Sequence, residues 1–207
     1  MERQRRTADE LLKWAGAQNP GPWTAHSQQA ARAAEKIAAG CGLDADRAYC
    51  LGLLHDIGRY KGPSAMMHIL DGYNLLMERG YEQAAQICIT HSFPTQTFAE
   101  YSGADDCTSQ NRQIIQDLLG NAQYTDYDRL IQLCDSLSLP EGVCLMEKRL
   151  IDVALRHGTN DLAVAKWKAL FAIFSDFESR LDVPLYSLFP EVVGNTFPML
   201  AGESHQQ

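Results

Sequence analysis

Apolar residues recur at spacings of three and four in one segment after another, and nothing alternates convincingly over a strand length. That periodicity admits helices and excludes a sheet as the organising element. Each periodic segment also carries stop signals. Gly40, Gly80 and Gly158 follow three of them, and Pro94 and Pro140 end two more. Start signals are of the side-chain capping kind. Asp44, Ser64 and Thr24 precede helical runs, while Thr7/Glu10 and Thr125/Asp128 have capping-box spacing. The reading is an all-α bundle of about eight to nine helices. Their cores are "TADELLKWAG", "TAHSQQAARAAEKIAA", "AYCLGLLHD", "AMMHILDGYNLLMER", "EQAAQICITHS", "SQNRQIIQDLLG", "TDYDRLIQLCDSLSL", "VCLMEKRLIDVALRHG" and "DLAVAKWKALFAIFSDFESRL". The segment "VPLYSLFPEVVGNTFPML" is apolar enough to pack on the body, and "AGESHQQ" reads as a frayed tail.

No repeat, low-complexity run or Pro/Gly-rich linker divides the chain, so residues 1–200 are read as one domain and 201–207 as the tail. A length of 207 residues can bury a sizeable core. The net charge of −8 argues against binding to nucleic acid, whose affinity rests on a basic surface. No stretch approaches the roughly 18 apolar residues of a membrane span. The N-terminus has charges but no apolar core of a signal peptide. Six cysteines without a C-x-x-C pair, four of them in helical segments, read as buried free thiols. Together these features point to the cytoplasm; the oligomeric state is left open.

The stretch "LGLLHDIGRYKG" sets His55 and Asp56 directly after an apolar run. A buried carboxylate costs several kcal/mol unless it is paired or bound to a metal. Partners are present at helical positions that read inward. His26 begins the stripe His26, Ala30, Ala33, Ile37, whose small residues would let another helix approach closely. His68 shares a face with Asp71, Gly72 and Leu75. His91 ends its helix, and Asp135 lies one turn from Ile131. Any one of these residues has an ordinary structural explanation; four histidines and two aspartates reading inward together suit a first-row transition metal. His157, before Gly158, reads as a helix-end charge, and His205 lies in the tail.

The pattern of one His, an adjacent His-Asp pair and a distant Asp resembles the HD-domain superfamily of metal-dependent phosphohydrolases. It is matched by His26, by His55-Asp56 within "GLLHDIGR", and by Asp135 within "LIQLCDSL". Two further histidines, His68 in "HILDG" and His91 in "CITHS", stand where dinuclear members carry them, which is similar to the diadenosine-polyphosphate hydrolase branch. Only 11 residues separate Asp56 from His68, shorter than that branch would lead one to expect. The resemblance implies that His26, His55, Asp56 and Asp135 bind a first divalent ion. Asp56 would bridge to a second, completed by His68 and His91, with Asp56 and His55 catalytic. The ions would be Mn, Fe, Co, Ni or Zn rather than Mg. They would activate water and clamp the oxygens of a small phosphorylated substrate, such as a nucleotide.

Arg59 and Lys61, just after the pair, and Arg149 are candidate phosphate contacts. Tyr124 and Tyr127 read as core rather than as a base platform. Two other functions fit the same ligands or fold: a diiron oxygenase cleaving a C–C or C–P bond with O2, and a non-catalytic nucleotide sensor.

Overall fold

The computed structural model describes residues 2–197; the tail 201–207 and the last part of the expected domain, 198–200, lie outside them. Ten α-helices occur among the described residues. They are α1 (Glu2–Gln18), α2 (Trp23–Gly40), α3 (Ala45–Leu54), α4 (Met67–Glu78) and α5 (Glu82–Thr90), then α6 (Ser109–Asn121), α7 (Asp126–Leu137), α8 (Met146–His157), α9 (Ala163–Ser179) and α10 (Val192–Thr196). The chain is all-α, as its periodicity requires. One correction is a hairpin, β1 (Ser138–Leu139) paired antiparallel with β2 (Gly142–Val143), where α7 and α8 were expected to continue. The turn at Pro140 and Glu141, with Gly142 at φ +149°, ends α7 early. Cys144 therefore stands outside a helix, and all six cysteines are free.

Several expected caps hold. Asp44 accepts from the Arg47 amide, and Thr125 and Asp128 form a reciprocal capping box. Three do not. Helix α1 begins before Thr7, whose hydroxyl donates back to the Arg3 carbonyl inside the helix. Thr24 lies within α2 and bonds the Gly21 carbonyl. Ser64 does not cap α4; the carboxylate of Asp106, far along the chain, accepts from the amides of Ala65 and Met67 at 2.8 Å each. A side chain from a distant loop thus satisfies amides that local sequence could not be seen to satisfy.

Helices α2 and α3 form the centre. Ala30, Ala31, Ala33, Ala34 and Ala38 are fully buried, and Gly52 faces them so closely that a Cβ there would sit 2.8 Å from the Ala31 Cα. The small-residue stripe therefore does what it promised, letting two backbones meet and carrying His26 and the His55-Asp56 pair side by side. Helix α7 packs across both. The C-terminal segment seats Leu185 and Phe189 in the core, and Thr196 accepts from the Leu145 amide at 3.0 Å. No described helix is long and apolar enough to cross a membrane.

Candidate metal centre

Six side chains from five elements converge. His26 comes from α2, His55 and Asp56 from the turn after α3, His68 from α4, His91 from the end of α5, and Asp135 from α7. Their donor atoms fall into two groups, His26/His55/Asp135 and Asp56/His68/His91, each within 4.8 Å. Adjacent rings stand 5.1 to 5.6 Å apart between centroids, in the series His26, His55, His91, His68. Asp56 faces both groups: Oδ1 is 3.1 Å from His68 Nε2 and 3.8 Å from His91 Nε2, and Oδ2 is 4.0 Å from His55 Nε2. Asp135 Oδ1 is 3.0 Å from His26 Nε2 and 4.0 Å from His55 Nε2.

The four imidazoles are tied in one way. Nδ1 meets a main-chain carbonyl in each, that of Ser138 for His26, Gly52 for His55, Ala65 for His68 and Cys88 for His91. Donation through Nδ1–H leaves the Nε2 lone pair bare and pointing inward, the arrangement in which a histidine binds a metal. Consistently, His55 Nε2, His68 Nε2 and Asp56 Oδ1 are buried without a hydrogen-bond partner. Leaving such atoms unpaired costs about 1–3 kcal/mol each. A cation satisfies all of them together. Four imidazole nitrogens and two carboxylates form a mixed N/O set suited to first-row transition ions, so the residues present fit two divalent cations.

Charge is arranged to match. Burial lowers the pKa of His55 despite the pull of Asp56 and Asp135, and lowers that of His91 to about 3 with help from His55. Both rings are therefore neutral. Burial opposes the charge of Asp56, yet the guanidinium of Arg59 holds it well below the usual carboxylate range. Burial opposes the charge of Asp135 too, and its pKa nonetheless falls below the ordinary range.

The centre forms the floor of a cleft of about 950 Å3. Of the three expected phosphate contacts, Arg149 and Arg59 line it and Lys61 does not. Lys61 turns away to pair with Asp71 at 2.6 Å. Arg59 donates through Nε to Asp56 Oδ2 at 2.6 Å. Arg149 reaches within 3.9 Å of Asp135 Oδ1, and its buried Nε has no partner. Tyr124 and Tyr127 stay out of the cleft, bonding the Phe93 carbonyl and the Asp44 amide. His157, read as a helix-end charge, lines the cleft mouth; burial first and Arg156 second lower its pKa.

Residues that local reading passed over also line the cleft: Trp23, Tyr101, Asp106, Lys166 and Trp167. For Lys166 the signal was there. It falls on the stripe Ala163, Lys166, Leu170, Ile173, Phe177, whose other members are all buried, so a lysine occupies a core position of α9.

The HD-domain family model matches residues 24–139, more than half of the chain, and the chain belongs to that family. The match contains all six converging residues. Among solved structures, the chain is similar to the HD domain of the phosphodiesterase PgpH from L. monocytogenes. The identity is 17% and the TM-score 0.45, over 94% of this chain and 99% of that one. A search of curated proteins finds no match.

Proposed function

We propose that the protein is a dinuclear metal-dependent phosphohydrolase, cleaving a phosphate ester or anhydride of a nucleotide or another small phosphorylated molecule. The carrying observation is the set of four imidazoles, each committed through Nδ1 to a main-chain carbonyl and presenting Nε2 beside two depressed carboxylates on a cleft floor. His26, His55 and Asp135 would hold one ion and His68 and His91 the other, with Asp56 placed between the two groups. Bound divalent ions supply water of lowered pKa and offset charge on phosphate oxygens.

The remaining work falls to the chain. The Arg59 Nε bond to Asp56 Oδ2 fixes the carboxylate plane, so Arg59 acts first as a positioning residue. Arg149, with its Nε unpartnered beside Asp135, is the better phosphate anchor: a guanidinium donates two parallel bonds to phosphate oxygens. In the net reaction water forms the new P–O bond and the leaving oxygen takes up a proton. The product alcohol or phosphate departs through the open cleft.

The test is phosphate release from mono- and dinucleotides and simple phosphate esters, by metal-stripped protein resupplied with Mn, Co, Fe(II) or Mg. Asp56→Ala is the control. Metal-dependent release that disappears in the variant supports the reading. Oxygen consumption with Fe(II), in place of phosphate release, would transfer the site to the oxygenase class. Failure to take up metal would point to a sensor.

A further inference from the structure

Four cations line the cleft: Arg59, Arg149, Arg156 and Lys166. Three face carboxylates, Arg59 at Asp56 and both Arg149 and Arg156 at Asp152. Lys166 does not. Among the described residues no carboxylate lies within 4.0 Å of its ammonium. Nζ donates instead to the carbonyls of Ser92 at 3.0 Å and Glu100 at 3.4 Å, and stands 3.3 Å from the Ser102 hydroxyl. Two of the three contacts are long. The side chain rises from the buried stripe of α9, and burial lowers its pKa against the pull of Glu100 and Asp135. A desolvated ammonium held by neutral dipoles, with no acid in direct contact, is costly to keep. An anion entering the cleft would offset that cost.

The position narrows what the anion is. Ser92 follows His91, so Nζ is anchored one residue from a ligand of the second group. Lys166 also lies beyond residue 139, where the family match ends. Resting on the hydrolase reading above, we propose that Lys166 contacts the substrate's phosphate and selects a dianionic phosphate monoester or terminal phosphate over a monoanionic diester. Two divalent ions against Asp56 and Asp135 would leave two positive charges, and the ammonium of Lys166 adds a third. That total favours the group carrying more negative charge.

The alternative role for Lys166 is to tie the 92–102 loop to α9. Two variants separate the roles. Lys166→Gln keeps an N–H donor for Ser92 and loses the charge, whereas Lys166→Arg keeps the charge. Each is assayed, with the wild type, on p-nitrophenyl phosphate and bis(p-nitrophenyl) phosphate, which share a leaving group. Binding of inorganic phosphate to metal-loaded protein is measured by calorimetry. Loss of a charge-assisted bond should lower monoester kcat/KM and phosphate affinity about 10- to 100-fold in Lys166→Gln. The diester should suffer much less, and Lys166→Arg should retain most of the monoester preference. A parallel fall on both esters, or an unchanged phosphate affinity, would overturn the proposal. If the wild type cleaves neither ester with any metal, the hydrolase reading fails. The phosphate affinities of wild type and Lys166→Gln still decide whether Lys166 binds the anion.

Discussion

Asp128 carries more of the centre's geometry than its distance from the ligands suggests. It is fully buried, and its two oxygens accept from four groups. Oδ2 takes the Thr125 amide and hydroxyl at 2.7 Å each, and Oδ1 takes the Thr90 hydroxyl at 2.7 Å. Gln86 Nε2 reaches both oxygens at 3.0 and 3.1 Å. The carboxylate thereby starts α7, which holds Asp135, and pins the end of α5, where Thr90 precedes His91. In Asp128→Ala, Gln86 keeps the Gln123 carbonyl at 3.0 Å as a partner. The Thr90 hydroxyl, fully buried, is orphaned at about 1–2 kcal/mol, and the lost half of the capping box costs about 1 kcal/mol. The sum is about 2–3 kcal/mol, which for a chain of this size is a fall in Tm of roughly 4–12 °C. Asp128→Asn, keeping one acceptor oxygen, should lose about half as much. Urea and thermal unfolding followed by far-UV circular dichroism, on metal-free protein, measure both. A loss under about 1 kcal/mol in Asp128→Ala would show that the network is not the brace described here.

Three further outcomes are expected. Asp56→Ala should abolish metal-dependent turnover and lower bound metal below that of the wild type by elemental analysis, while helicity is kept; full activity would sink the metal account. Gly58→Ala should cost at least about 3 kcal/mol or prevent soluble expression, because a Cβ there strikes the His68 carbonyl and the Gly72 nitrogen, both backbone; ordinary stability by denaturation would contradict the close approach of that turn to α4. Metal-free protein should lose stability as pH falls from about 6.5 toward 3. An unfolded imidazole titrates near 6.5 and folded His91 at about 3, so in that window unfolding takes up a proton. His55 adds in the same direction, and each contributes at most about 1.4 kcal/mol per pH unit. Asp56 and Asp135, with depressed folded pKa values, contribute stability that is lost only at lower pH, below the ordinary carboxylate range. Urea midpoints in EDTA between pH 7.5 and 4.5 that stay level would refute the buried neutral rings.

The helical class and the six converging residues were legible because both rest on local signals. Periodicity of three and four, Gly and Pro stops, and the cost of burying Asp56 after an apolar run all act within a few residues of chain. The small residues of α2 even indicated where a second backbone would come close. What only the tertiary structure decided depends on atoms brought from elsewhere. Asp106 rather than Ser64 caps α4, since an exposed amide can be satisfied by any carboxylate that reaches it. Lys61 faces Asp71 and not the cleft, although it follows the HD turn as closely as Arg59. The carbonyls that orient His55, His68 and His91 come from the preceding turn, but His26 depends on Ser138, which the hairpin after α7 delivers. Lys166 stood at a core position from the start, but only the fold shows that its ammonium ends in the cleft wall with no carboxylate of the described residues within 4.0 Å. Sequence spacing sets which face of a helix a side chain occupies; packing of one helix on another sets what that face meets.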